Sequence, residues 1–388
     1  MLGHLLGRTR WPIALDIGTN GIKMLQMHRV GGGIAVLACQ RWQFPPSAGT
    51  DADTRRRLTI DAVRDMLRRG GFRGNRVVSA LSCEQLKIKN VRLPDLTGPV
   101  LQQALHDEAH DRFGQVFAPD QLHFLHAGEI RQGSEAHHEF ILLAAPSEVV
   151  EGHYSMLLEM GLRPEHIDAE PLAMFRPFAR HLRRRADEGE ISVVVDLGHL
   201  STKVVVARGR APVLVKRIPI GGRDFAEAVA KQLDLSYEEA VDLRIQFLRD
   251  HSGDRDEGQD SAGAEDLNSV SWTILDAVRG HVEELSREVA LCLRYCSVTF
   301  RGLRPKRVLM TGGEAYDPAM IRLLGEQLGV ECAIGQPLRG IDTSHVEFEG
   351  DRRGMLAEWS VCVGLALRDE QADRSSRKKR HEADRLSA

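Results

Sequence analysis

The feature that most constrains this chain is a repeat within it. Moved against itself by 180 positions, the sequence lays Ala14-Leu15-Asp16-Ile17-Gly18-Thr19-Asn20-Gly21-Ile22-Lys23 over Val194-Val195-Asp196-Leu197-Gly198-His199-Leu200-Ser201-Thr202-Lys203, with Asp, Gly and Lys at matching offsets. A self-similarity at that spacing is a duplicated folding unit. Each copy opens with an apolar run, turns at Asp-x-Gly and continues into a second β-rich run (22–30 and 202–208), which reads as a hairpin with an acid and a glycine at its tip. Such a tip suits a phosphate: the glycine leaves backbone N–H groups bare, hydroxyl and amide side chains add donors, and the acid can hold a hydrated Mg²⁺. Two tips facing each other would clamp one polyphosphate. Asp-x-Gly is also an ordinary hairpin turn, so the argument rests on its recurrence.

A third signal is Val308-Leu309-Met310-Thr311-Gly312-Gly313-Glu314-Ala315, a short apolar strand ending in paired glycines before a helix-like stretch, 318–328. Paired glycines there let a nucleoside lie against bare backbone, or supply a strand-to-helix turn that needs positive φ. Around these signals the periodicity predicts a meander (13–16, 22–30, 33–40), a helix over 55–69 and a strand over 76–81. An inserted unit over 86–161 follows, with a strand, a helix from about Thr97, two strands bridged by a polar loop and a helix from Pro146. A helix is expected over 170–185. The second half reads as three strands (192–196, 203–208, 213–218), helices from Gly222 and Ser236, a long helix from about Asn268 to Phe300 and a last one over 355–368. Residues 250–266 hold seven acids without apolar periodicity and read as a mobile loop, and 370–388 as a solvated tail.

The domain boundaries expected from this are 11–88 with 164–188 as a first unit, 89–163 as an inserted partner-binding unit, and 190–369 as a second unit. Composition narrows the function classes. The chain has 388 residues, 42% of them hydrophobic, enough for real cores; 52 Lys+Arg against 55 Asp+Glu give a formal net charge of −3, with no global pull toward nucleic acid or anionic lipid. The six cysteines lie far apart without CxxC, as expected of buried thiols in a reducing compartment. No apolar run approaches the ~20 residues of a membrane span, and the first ten residues lack the apolar core of a signal peptide. The expected location is the cytoplasm.

In order and spacing, Asp16-x-Gly18, Asp196-x-Gly198 and Gly312-Gly313 resemble the actin-like ATPase superfamily, whose duplicated ribonuclease-H-like α/β fold has two domains around a nucleotide cleft. The insertion resembles the subdomain that sets FtsA and PilM apart from actin and the heat-shock chaperones. Further text is similar to the PilM family of type IV pilus assembly: Val91-x-Leu93-Pro94, Glu108-Ala109, Ala144-Ala145, Gly161-Leu162-x-Pro164-x-x-Ile167-Asp168-x-Glu170, Gly221-Gly222-Arg223-Asp224, Ser236-x-Glu238-Glu239-Ala240 and Gly364-Leu365-Ala366-Leu367-Arg368. The resemblance implies an ATP-binding cytoplasmic adaptor of a type IV pilus or type II secretion platform. It would sit at the inner membrane through the N-terminal cytoplasmic peptide of a PilN-like bitopic protein. Carried over residue by residue, it implies Asp16, Gly18, Thr19, Asn20 and Lys23 as the first phosphate motif, Asp196, Gly198 and Thr202 as the second, and Gly312 with Gly313 for adenosine. Asp16 and Asp196 would hold Mg²⁺ through water. Glu170 falls where chaperone relatives orient the attacking water, with helix capping as the alternative. One departure stands out: Val241 occupies the place of an expected ribose-binding Glu, and Arg244 that of a Lys.

Other readings compete. A filament-forming ATPase like FtsA normally ends in an amphipathic membrane helix, and the tail after Arg368 lacks the apolar stripe for one. A small-molecule kinase of the same superfamily would need a substrate acid between its halves, whereas the insertion reads as a recognition module. His106-x-x-x-His110 has metal-site spacing but lacks the Glu of a metalloprotease helix and reads as a polar helix face. His137-His138, Cys292 with Cys296, and the basic cluster 377–380 carry no chemistry in this reading.

Overall fold

A computed structural model of the chain describes residues 10–45, 51–132, 135–250, 264–300, 302–348 and 356–368. Most of the 250–266 loop and all of the 370–388 tail lie outside them.

The duplication is a duplication of sheets. β1 (Arg10–Ile17), β2 (Gly21–Val30), β3 (Gly33–Gln43), β4 (Arg76–Leu81) and β8 (Arg163–Ala169) form one sheet in the order β3-β2-β1-β4-β8. β9 (Ile191–Leu197), β10 (Thr202–Arg208), β11 (Ala211–Ile218), β12 (Arg307–Thr311) and β13 (Glu331–Ile334) form the other in the order β11-β10-β9-β12-β13. In both, a three-strand antiparallel meander continues through two parallel strands. The central strands are apolar on both faces, as strands covered on both sides must be.

Alternation along β1 and β2 decides which side chains meet the cleft. Ile13, Leu15, Ile22 and Met24 point to one face, where they pack on Ile60, Val63 and Met66 of α1 (Ala52–Arg69). Ala14 and Leu25 point to the other face and join the large central core. With a period of two, Asp16 and Lys23 leave the sheet on that second face.

The insertion is a small sheet, β5 (Lys87–Pro94), β6 (Leu122–Gln132) and β7 (Glu135–Ala144) in the order β5-β7-β6, backed by α2 (Gly98–Phe113). Val91, Leu93, Phe140 and Leu142 close a core with Leu105 and Ala109 of α2, while Ile141 and Leu143 join the central core from the other face. The apolar side of β5 is thus consumed by packing within the insertion.

Two boundaries differ from expectation. α3 (Ser147–Glu159), expected inside the inserted unit, packs on the first sheet, where Leu157 and Met160 meet the α1 core. The last helix, expected with the second unit, returns to the first: α9 (Ser360–Ala366) lies on α4 (Glu170–Ala179) and β1. A Cβ at Gly364 would collide with the Ala173 carbonyl, so glycine sets this crossing distance. Arg176 ties it down, donating to the Gly364 carbonyl at 2.7 Å and to Asp168 at 2.8 Å.

Helix lengths differ too. α4 stops at Ala179, short of Arg185, and a separate 3₁₀ turn follows, opened by the Asp187 carboxylate accepting the Arg184 N–H at 2.7 Å. The expected helix 355–368 is broken by Leu356 in the left-handed region (φ 51°) and a 3₁₀ turn over Ala357–Trp359. That turn is pinned by the Gly312 N–H to the Ala357 carbonyl (3.3 Å) and the Ala357 N–H to the Tyr316 hydroxyl (2.8 Å). The second sheet carries α5 (Gly222–Leu233), α6 (Tyr237–Asp250), α7 (Ala264–Thr299) and α8 (Pro318–Leu328). Among the described residues no helix is long and apolar enough to cross a membrane.

Candidate functional site

The two hairpin tips open into one cleft, lined among others by Asp16, Gly18, Thr19, Asn20, Lys23, Glu170, Asp196, Gly198, Gly312 and Gly313. The offset shared by the repeats has a geometric meaning. In each hairpin the Asp is the cross-strand partner of the Lys, Asp16 opposite Lys23 and Asp196 opposite Lys203. Residues directly opposite in an antiparallel pair share a face and interact. The ammonium-to-carboxylate distances are 3.5 Å and 3.4 Å. Each tip closes on itself by a glycine N–H, Gly18 to the Gly21 carbonyl at 2.9 Å and Gly198 to the Ser201 carbonyl at 3.2 Å.

The third loop works differently at its two glycines. Gly312 has φ 92°, and a Cβ there would run into the Leu197 backbone, so its reason is structural. A Cβ at Gly313 would meet nothing within 4 Å, so this backbone is bare toward the cleft. The next residue, Glu314, also lines the cleft and is gripped by Arg244 at 2.6 Å. Arg244 itself is spent on Glu314 and the Gly222 carbonyl (3.2 Å) and does not line the cleft. Thr202 is also off it: fully buried, its hydroxyl donates to the Ile220 carbonyl at 2.7 Å. Val241 and the exposed Asp242 do not line it either.

Lys203 is the electrostatic centre of the site. Its ammonium lies 3.1 Å from Glu170 and 3.4 Å from Asp196, with side chains 9%, 12% and 8% exposed. Burial, the largest influence, disfavours the ammonium, but the summed attraction of Glu170, Asp196 and Glu84 outweighs it and holds Lys203 charged well above an ordinary lysine. Burial pushes the Glu170 carboxyl up, opposed by Lys203 and reinforced by Asp196. Burial likewise raises Asp16, with Lys23 lowering it and Asp196 raising it.

Glu170 does not cap its own helix. One oxygen faces Lys203 and the other accepts the Cys83 N–H at 2.7 Å, so the carboxylate ties the β4–β5 loop to the second half. Beside it, Ser201 donates to Glu84 at 2.5 Å across the same boundary. Lys203, Glu314, Glu358 and Arg41 border the cleft and Glu84 stands beside it, and sequence reasoning left them all out. For Lys203 the signal was present, as the lysine repeated at the offset of Lys23; for the acids, which come from separate loops, there was none.

Glycine-bared tips, lysines beside them and two facing carboxylates are a donor set for a polyphosphate with a hydrated divalent cation. No group of three or more His, Cys, Asp or Glu among the described residues is disposed to hold a metal by itself, so a cation here would come with the phosphates and through water. The His106/His110 face of α2 carries no such group, its Asp107 taken up by Gln103 at 2.8 Å.

Comparison with known proteins decides the family. A model of the type IV pilus assembly protein PilM matches residues 14–248, more than half of the chain. The chain belongs to the PilM family. Its fold is that of a solved PilM–PilN type IV pilus biogenesis complex, with 24% identity, a TM-score of 0.71 and coverage of 92% of this chain and 98% of that one. The ethanolamine utilization protein EutJ from Carboxydothermus hydrogenoformans is more distant, at 14% identity and a TM-score of 0.51, covering 92% and 89%. A PilM-family chain is therefore built on the actin-like architecture expected from the duplication, insertion included.

Proposed function

We propose that this chain is an ATP-binding adaptor of a type IV pilus assembly platform that grips the cytoplasmic N-terminal peptide of a PilN-type inner-membrane protein. The observation that carries the nucleotide half is the pair of repeated Asp-x-Gly tips opening into one cleft beside the bare backbone of Gly313. In this reading Gly18, Thr19 and Asn20 of the first tip and Gly198 of the second line the phosphate end. Lys23 neutralises phosphate charge, and Asp16 and Asp196 orient the water shell of Mg²⁺. Arg244-held Glu314 offers the carboxylate toward the nucleoside that Val241 cannot. ATP bound there would supply the phosphate charge, and these residues of both halves would do the holding. Glu170, with both oxygens engaged, serves cleft geometry first. The partner half rests on membership of the PilM family and on the likeness to a PilM–PilN complex.

The test is calorimetric titration of the full chain with MgATP. Asp16→Ala and Asp196→Ala are each expected to weaken binding by tenfold or more, about 1.4 kcal/mol. Unchanged affinity in both variants would refute the placement.

A further inference from the structure

Among the described residues, one cation bordering the cleft, Arg41, has no carboxylate within hydrogen-bonding reach. Arg41 lies on β3, and the strand register makes it the partner of Lys23 as Lys23 is of Asp16. The three side chains therefore leave the sheet side by side on the cleft face. The row runs acid, cation, cation. Lys23 has Asp16, while Arg41 faces Glu358 at 3.8 Å, too far for a hydrogen bond. Among the described residues the Arg41 guanidinium makes no hydrogen bond, although its side chain is only 19% exposed. Its five N–H donors open on the cleft, where an anionic acceptor would pair with them. Glu358 is already engaged through its other oxygen by the Tyr316 hydroxyl.

We infer that Arg41 is a phosphate-binding residue of this cleft, turning from Glu358 to the polyphosphate of the nucleotide held at the hairpin tips. The inference rests on the nucleotide reading above and adds a residue to it. A guanidinium presents a planar fork that fits phosphate oxygens two at a time, which a lysine cannot do. Placed beside Lys23, it sets two cations at the first hairpin tip, where Asp16 answers the lysine and Glu358, shared with Tyr316, answers the guanidinium only at 3.8 Å. Glu358 is then the resting partner that keeps the guanidinium over the cleft.

The experiment is MgATP titration calorimetry on the full chain and on Arg41→Gln, Arg41→Lys and Glu358→Gln, with thermal melting to confirm that each variant is folded. Arg41→Gln should weaken MgATP binding tenfold or more. Arg41→Lys should recover part of that loss, since it restores charge but not the fork, and Glu358→Gln should bind as tightly as the parent or tighter because a competing carboxylate is gone. Were Arg41 only a structural partner of Glu358, both glutamine variants would lose affinity equally, and that outcome overturns the inference. Parent-like binding by Arg41→Gln overturns it too while leaving the nucleotide reading intact. Failure of the parent chain to bind MgATP at all removes both.

Discussion

Lys203 shows how few side chains hold this cleft together. It is a buried ammonium between Glu170 of one half and Asp196 of the other, so removing it leaves two buried carboxylates facing each other. Breaking a buried pair from one side costs about 3–5 kcal/mol. Lys203→Met should therefore lower the unfolding free energy by about that much in a denaturant titration, and the double variant with Glu170→Gln should regain a substantial part. A double variant no more stable than Lys203→Met would show that the Glu170 charge is not what the lysine answers. How much of the site is legible in sequence is also decided residue by residue. Asp16, Gly18, Asp196 and Gly198 announce themselves by recurrence, and Lys203 does so by its offset. Arg41 does not, for a physical reason: counting back from the Gly31-Gly32 turn pairs Lys23 with Gln40, and the bulge between Gln26 and Met27 slips the ladder by one residue. A slip of one exchanges the two faces of a strand. Without the bulge Arg41 would point away from the cleft.

At the scale of elements, periodicity reports what an element is but not what it packs against. The strands and most helices follow from alternation and helical spacing, yet α3, read from sequence as part of the insertion, packs on the first sheet. Its buried histidine gives that packing a measurable consequence. His153 accepts or donates one hydrogen bond to the Ser79 hydroxyl of β4 at 3.0 Å, and burial depresses its pKa from 6.5 to about 4. In the folded chain it binds its proton later than in the unfolded chain as pH falls. Stability is therefore unaffected above pH 6.5 and is lost as pH drops from 6.5 through about 4. Across that window the loss approaches about 3 kcal/mol. His153→Gln keeps the hydrogen bond without the titration, so its melting temperature should fall less between those pH values than the parent's. Parallel pH profiles would show that α3 does not seal His153 against β4. The broken last helix has a cause invisible in its sequence, because Leu356 and the turn after it answer to Tyr316 and Gly312 some forty residues earlier.

On the scale of the whole molecule, the insertion is the element that, in the proposed function, would join nucleotide to partner. It leaves the first sheet after β4, but its weight rests on the second half. The Asn90 amide donates to the Val213 carbonyl of β11 at 2.9 Å, and Glu139 of β7 joins Arg92 (2.7 Å) to Tyr295 of α7. The β4–β5 loop at its root carries Cys83 and Glu84, which meet Glu170 and Ser201 at the cleft. A change in how the halves close must therefore reach the insertion through both its root and its seat. If a PilN-type peptide binds there, nucleotide and peptide each change the other's affinity by the same factor, typically about 5–150-fold for such coupling. Excising the insertion is a poor test, since Ile141 and Leu143 belong to the central core. The informative measurement is the affinity of a labelled N-terminal peptide of the partner for the full chain, by fluorescence anisotropy, with and without saturating MgATP, for the parent and for Asp196→Ala. The expected outcome is a shift of about fivefold or more in the parent and none in Asp196→Ala, which still binds peptide. Equal affinity in both conditions for the parent would mean that cleft and insertion act separately. No binding in either would remove the peptide from the proposed function altogether.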